Sequence, residues 1–325
     1  MKKQYEVQLS NIKFLHFYMA IIIVMYHVGG MSSSNTTGID GVLLNWLICF
    51  WEFLANIAMG YFFFISSYLL FKDLDYSNYG EKVKRRVHSL LIPFVLWNVI
   101  VLVMKTIVGK NKLLDIIYLF DMRKYPPDGP LWYMYCIFLL ALISPLFLRV
   151  LKKYPLVVIT SSAIICNLIL HNNSFDDGYI VNLLHFFPIW LLGGALAQKG
   201  VNNKELCIMI LVSCISFKGE LYNYVFYVVE LLIILILIST HRKLSITERN
   251  IYRCSFLMYV IHGPIIEVFG KTVKELLFSL IGNSFITIII SKIIFLIICI
   301  TICVVFYYVF KRNKRIVNII TCNRG

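Results

Sequence analysis

The amino-acid sequence predicts an all-α fold, a polytopic transmembrane helical bundle of about ten spans. Of its 325 residues, 59% are hydrophobic and only 15% are charged, whereas soluble globular proteins average about 45–50% apolar and 25% charged residues. The apolar residues occur in long runs, the pattern of helices that cross a hydrocarbon core of ~30 Å. No stretch is long and polar enough for a separate soluble domain, so residues 1–325 form one predicted domain.

The positions of the spans follow from the apolar runs. The first run is predicted to be a spanning helix and not a cleavable signal peptide, because nine further apolar runs follow it. The second run is long enough to tilt, the seventh is short for a membrane core, and residues 112–120 suit an interface. The predicted spans are 12–29, 42–71, 89–108, 131–150, 155–170, 180–198, 205–217, 221–239, 252–269 and 284–310.

The basic residues are distributed unevenly around these spans. With ten alternating helices, the segments on the side of the N-terminus carry 21 Lys and Arg residues, and the loops on the other side carry 7. The positive-inside rule therefore places both termini in the cytosol. The net charge of +14 is spread over short segments and forms no continuous face, so we expect no nucleic-acid partner. The lipid bilayer, with its anionic headgroups, is the partner expected for most of these residues.

The sequence predicts neither a disulfide nor a metal site. Its nine cysteines lie mostly inside apolar runs, with no CxxC pair and no Cys/His ligand spacing. It also contains no phosphate-binding loop, nucleophile elbow or dinucleotide fingerprint.

His27 lies near the end of the first apolar run, and His16 lies eleven residues before it. Eleven residues make about three helical turns, so the two imidazoles share one face roughly 16 Å apart. An ionisable side chain at membrane depth is costly, which makes His27 a candidate functional residue. The alternative is a histidine that hydrogen-bonds a neighbouring helix or lies among the lipid headgroups.

Six motifs at the ends of spans together resemble one protein family. They are Tyr26-His27 and the segments 61–70 (YFFFISSYLL), 84–97 (KRRVHSLLIPFVLW), 129–135 (GPLWYMY), 186–193 (FFPIWLLG) and 255–264 (SFLMYVIHGP). In this order the chain resembles the integral membrane acyltransferase family 3, which includes O-acetyltransferases of bacterial cell-surface glycans. The resemblance covers nearly the whole chain.

The resemblance implies a membrane O-acyltransferase of the cell envelope. It would move an acyl group, with acetyl as the first candidate, from cytosolic acyl-CoA to a hydroxyl of a cell-surface polysaccharide or lipid-linked saccharide. The expected location is the bacterial cytoplasmic membrane. Two alternatives stay open: a transporter or flippase of such a saccharide without acyl chemistry, and a structural partner in a polysaccharide synthesis complex.

The first span departs from the family pattern at one position. Members of the family carry an arginine, ten residues and then a histidine. His27 matches that histidine, but His16 stands where the arginine is expected, and Lys13 lies one turn earlier. Because an arginine binds phosphate bidentately and a histidine cannot, either Lys13 and His16 replace it together or acyl-CoA binding is altered.

The candidate catalytic residues are His27 and Glu52. Acyl transfer to a hydroxyl needs a base for the proton and a stabilising environment for the oxyanion. Neutral imidazole suits the base, so we predict this role for His27. A carboxylate that orients the imidazole would complete the arrangement; Glu52 is predicted for it, with Asp40 as the alternative.

The candidate donor-binding residues are Lys13, His16, Arg85 and Arg86, near the inner ends of spans. They are expected to hold the phosphates of acyl-CoA. The alternative is that Lys13 and His16 reach the headgroups and that the arginines set the topology.

The candidate acceptor-binding residues are Trp132, Tyr133 and His262. The two aromatic rings would stack on a sugar, or would belong to the interfacial aromatic belt. His262 is followed by Gly263-Pro264, which opens the helix and frees a carbonyl; it is a candidate contact for the acceptor or the acyl donor.

Overall fold

The structure is a computed structural model that describes most of the chain between residues 9 and 310. The described residues are 9–28, 39–107, 109, 113–172, 178–198, 203–213, 225, 229–230, 232–234, 236–237, 246–282 and 285–310. Every labelled element of this part is helical, which confirms the predicted all-α class.

The helices follow the apolar runs closely. The α-helices are α1 (Leu9–His27), α2 (Ile39–Phe71), α3 (Tyr79–Arg86), α4 (Ile92–Ile107), α5 (Trp132–Lys153), α6 (Pro155–Asn172), α7 (Tyr179–Gln198), α8 (Asn203–Ser213), α9 (Ile246–Ile281) and α10 (Phe285–Phe310). A π-helix covers Val87–Leu91, and two 3₁₀ helices cover Leu113–Tyr118 and Gly129–Leu131. The predicted span at 221–239 lies largely outside the described residues.

Five helical stretches among the described residues are long and apolar enough to cross a membrane. They are Gly41–Phe71, Tyr79–Ile107, Gly129–Lys153, Tyr179–Gln198 and Ile286–Phe306. Two shorter apolar helices cover Pro155–His171 and Ser255–Phe269. The number of ten spans and the cytosolic termini stay predictions.

Helices α3 and α4 are joined through the π-helix Val87–Leu91. Pro93 has no N–H and cannot donate to the preceding turn. The turn before Pro93 is that of the π-helix, which is wider than an α-helical turn. There the N–H of Ile92 donates to the carbonyl of Val87, five residues back. The third predicted span therefore continues upstream into the basic segment that ends with Arg85 and Arg86.

The chain divides into two compact units. The first unit comprises Met1–Ile12 and Met59–Lys243, and the second unit comprises Lys13–Ala58 and Leu244–Gly325. In the first unit α7 packs against α5, α6 and α8, and in the second unit α9 packs along α10.

Two of the sequence motifs pack against each other in the core of the first unit. Phe63, from segment 61–70, stacks on Phe186, from segment 186–193, with ring centroids 5.1 Å apart. A Cβ atom at Gly193 would collide with the carbonyl of Phe64. The close approach of α7 to α2 therefore requires a residue without a side chain at position 193.

The second unit holds the end of α1 against α9 through aromatic and histidine rings. Tyr252 of α9 lies 5.3 Å from the ring of Phe17 and 6.1 Å from that of Phe14. These ring contacts join side chains of α1 to α9, and the last residue of α1 meets the middle of α9.

Candidate active site

Two histidine rings meet inside the second unit. His27 is the last residue of α1, and His262 lies in α9, two residues before Pro264. Their ring centroids are 5.3 Å apart, with the ring planes inclined by 39°. His262 is fully buried, whereas His27 is half-buried. In this pair, His262 is the interior ring and His27 is the more accessible ring.

The hydrogen bonds of His262 determine which of its ring nitrogens carries the proton. Nδ1 lies 2.6 Å from the carbonyl oxygen of Tyr259 and 3.2 Å from that of Met258. A carbonyl only accepts hydrogen bonds, so Nδ1 is the N–H donor and Nε2 of the neutral ring carries a lone pair. Nε2 is buried, and it has no hydrogen-bond partner among the described residues.

Lys292 of α10 lies next to His27. Its side chain is buried, and Nζ donates to the carbonyl oxygens of Met25 at 2.5 Å and Val28 at 2.6 Å. The last carbonyls of a helix have no partner within the helix, and a cation is favoured at this end by the helix dipole. Lys292 therefore closes the end of α1 on both sides of His27.

Trp51 of α2 completes the polar cluster. Nζ of Lys292 lies 5.7 Å from the centre of its ring, within the range of a cation–π interaction. The indole Nε1 of Trp51 is buried without a partner in the described part of the chain. His27, His262, Lys292 and Trp51 are called the histidine cluster below.

The role predicted for Glu52, to orient His27, stays a prediction. Glu52 is exposed on α2, and the described contacts of the His27 ring are with Tyr26, at 4.9 Å, and His262. The side chain of Asp40, the alternative carboxylate, lies outside what the structure describes.

The predicted donor residues divide between the two units. Lys13 is exposed and His16 half-buried on α1 in the second unit, and the two arginines end α3 in the first unit. Arg85 lies 3.6 Å from Glu81, and both side chains are 76% exposed. Arg86 donates to the carbonyl of Ser66 at 3.2 Å, so Arg85 is the more accessible of the two.

Trp132 and Tyr133 pack against α2 in the first unit. Trp132 is buried, with its ring 6.1 Å from that of Phe63. The hydroxyl of Tyr133 donates to the carbonyl of Phe62 at 2.9 Å. Both residues thus have a packing role, and their contact with a sugar stays a prediction.

A family model described as "Acyltransferase domain", that of acyltransferase family 3, matches residues 11–308. The chain belongs to this family. The match confirms the resemblance drawn from the six motifs, and it includes every residue of the histidine cluster. Comparisons with curated proteins and with solved structures found no match.

Membership in acyltransferase family 3 supports acyltransferase activity, and the apolar helices agree with a multi-pass membrane protein. Within the described residues, no group of three or more His, Cys, Asp or Glu side chains is placed to hold a metal ion.

Sequence reasoning missed Lys292, although the signal was present. Lys292 lies in Ile286–Phe306, the most apolar of the five candidate spans. The rule that singled out His27, that an ionisable residue inside a membrane helix is functional by default, applies equally to Lys292. Its partners are carbonyl groups, which no side-chain motif reveals.

Proposed function

We propose that the chain transfers an acyl group, with acetyl as the first candidate, from acyl-CoA to a hydroxyl of a cell-surface glycan or lipid-linked saccharide. The observation that carries the proposal is the histidine pair. The fully buried imidazole of His262, whose Nε2 has no hydrogen-bond partner in the described part of the chain, faces the half-buried ring of His27. Family membership supports the reaction class, and the pair supplies the acid–base group that the class requires.

His27 acts as the catalytic base in this proposal. It is the more exposed ring of the pair, so a hydroxyl of the acceptor has access to it. His262 is the positioning residue, because its bare Nε2 can accept a hydrogen bond from one ring N–H of His27 after a rotation of the half-buried ring. The other nitrogen of His27 is then unprotonated and free to take a proton. His262 thus takes the orienting role that was predicted for Glu52.

The reaction conserves atoms and charge with this one base. His27 takes the proton of the acceptor hydroxyl while the oxygen attacks the thioester carbonyl carbon, and a tetrahedral oxyanion forms. The carbon–sulfur bond then breaks, the acyl ester remains on the acceptor, and the thiolate leaves with the proton returned by His27. The products are the O-acylated acceptor and free coenzyme A.

The donor binds, in this proposal, through basic side chains near the inner ends of helices. Arg85 is the best candidate among the arginines because its guanidinium is exposed and its ion pair with Glu81 is weak. Arg86 is already engaged with Ser66. Lys13 and His16 remain proposed donor ligands on α1, in place of the family arginine.

The test is transfer of radiolabelled acetyl from acetyl-CoA by the purified protein, with His27→Gln as the variant. His171→Gln is the matched control, because His171 lies in the last turn of the apolar helix α6 and is exposed. We expect the wild type and the control to consume the donor, and His27→Gln to be slower by about 10²–10⁴-fold.

Full donor consumption by a well-folded His27→Gln variant would remove His27 from the chemistry. If saccharide moved across vesicles without any donor consumption by the wild type, the transporter alternative would replace the acyltransferase.

A further inference from the structure

Lys292 is buried in the most apolar candidate span of the described chain. It is 1% exposed, and it lies in Ile286–Phe306, the most apolar of the five candidate spans among the described residues. An ammonium group in such a place is costly unless hydrogen bonds compensate it. Packing alone would be served better by an aliphatic side chain, so the amine needs an explanation.

The hydrogen bonds of Lys292 go to one place, the last turn of α1. Nζ bonds the carbonyls of Met25 and Val28, which stand two residues before and one residue after His27. An ammonium group has three hydrogens, and two of them are directed to these carbonyls. The backbone that carries His27 is therefore held from both sides by one side chain.

We propose that Lys292 is a positioning residue for His27, an inference that rests on the acyl-transfer function proposed above. By fixing the end of α1, Lys292 keeps the His27 ring beside the ring of His262, whose Nε2 has no hydrogen-bond partner among the residues that the structure describes. The ring of Trp51 holds the ammonium from a further side. Without the amine, the last turn of α1 can fray, because its carbonyls lose their partners.

The test compares Lys292→Met, Lys292→Gln and Lys292→Arg in the purified full-length protein. Methionine removes the donor at similar length, glutamine retains a neutral amide donor, and arginine retains a charged donor. A misplaced catalytic group can cost about 10²-fold in rate. We expect kcat to fall by about that factor in Lys292→Met and by less in Lys292→Gln, with KM for acetyl-CoA unchanged and with activity largely regained in Lys292→Arg.

Lys105→Met is the matched control. Lys105 also lies in an apolar helix and donates to a carbonyl, that of Pro127 at 2.9 Å, but in the first unit. We expect this variant to lose stability without a selective loss of kcat. A purely structural role of Lys292 would give the same result as the control.

Several outcomes overturn the proposal. One is a folded Lys292→Met or Lys292→Gln variant with wild-type kcat; another is a rise in KM alone. If neither of these variants folds, Lys292 is a folding residue and the proposal also falls. His27→Gln, measured in parallel, separates the two claims: if His27→Gln is inactive and Lys292→Met is normal, only the role of Lys292 fails, whereas an active His27→Gln removes the proposed function itself.

Discussion

At the ends of both α1 and α2, basic side chains donate hydrogen bonds to backbone carbonyls, but the surroundings of the two ends differ. At the end of α1, in the second unit, buried Lys292 donates to two carbonyls. At the end of α2, in the first unit, half-buried Lys82 donates to the carbonyl of Lys72 at 2.8 Å, and Arg86 donates to that of Ser66. Both arrangements follow from the unpaired carbonyls and the negative dipole end of a helix.

The difference lies in what surrounds each helix end. The end of α2 also receives the side-chain amide of Gln198, which donates to the carbonyl of Phe71 at 2.6 Å, and it packs against glycines of α7. Beside the end of α1 lies the ring of His262, whose Nε2 has no hydrogen-bond partner within the described ranges. The helix end accounts for the half-buried cations beside α2, whereas the end of α1 combines a fully buried cation with an adjacent histidine pair. This combination makes the end of α1 a candidate for catalysis.

The largest expected effect on stability is at Gly193, where α7 meets α2. An added Cβ would collide with the carbonyl of Phe64, and overpacking of this kind costs about 1–3 kcal/mol. Gly193→Ala should therefore lower the unfolding temperature clearly. Gly80→Ala is the matched control, because a Cβ at Gly80 meets nothing within 4 Å. Equal unfolding temperatures of the two variants would show that the close approach of α7 is not required.

A pH-dependent effect is expected at Asp128, a buried carboxyl in the first unit that precedes the span starting at Gly129. Burial raises the pKa of Asp128 to about 8, with the charge of Lys105 opposing the shift. The folded state therefore holds a proton that the unfolded state releases above pH ~4, so this group makes stability fall as the pH rises from about 4 to about 8. Asp128→Asn should flatten the dependence of the unfolding temperature on pH over this range. If the unfolding temperatures of the variant and the wild type changed with pH in the same way, Asp128 would not be the source of this pH dependence.

A smaller effect is expected at the cations that close α2. Lys82→Gln and Arg86→Gln each weaken hydrogen bonds to carbonyls, a loss of about 1 kcal/mol for one partly exposed bond. Lys84→Gln is the control, since Lys84 is exposed on the same helix. Chemical denaturation of the three variants measures this difference. If Lys84→Gln were as destabilised as the others, net charge and not the helix end would be the cause.

The smallest effect on stability is expected at Arg85. Its ion pair with Glu81 is exposed, and exposed pairs contribute little. Arg85→Gln should leave the unfolding temperature unchanged but raise KM for acetyl-CoA if the guanidinium binds a donor phosphate. An unchanged KM would contradict donor binding by Arg85 and would favour the alternative, that this arginine sets the membrane topology.

The fold class and most helix positions could be predicted from the sequence, because long apolar runs are visible in the order of the residues. The run at 180–198 became Tyr179–Gln198, and the run at 42–71 became Ile39–Phe71. The upstream extension of α4 could not be predicted, since the basic residues before Pro93 interrupt the apolar pattern. The grouping of the chain into two units follows from long-range packing, which local patterns do not encode.

The candidate site was predicted only in part. The motifs singled out His27 and His262 separately, and their proximity required the packing of α1 against α9. Glu52 was predicted to orient His27; it is exposed, and its role stays a prediction. The contact of His27 with the ring of His262 was not predicted. The tautomer of His262 depends on bonds within its own helix, and such local contacts of a side chain with the backbone are not visible in a sequence.

A double-mutant cycle on His27 and His262 tests the central claim most directly. The kcat of acetyl transfer is measured for the wild type, His27→Gln, His262→Gln and the double variant, each checked for folding. If His262 acts through His27, both single variants are slow, and adding His262→Gln to His27→Gln causes no further loss. A His262→Gln variant with normal kcat, or losses that multiply in the double variant, would contradict the account.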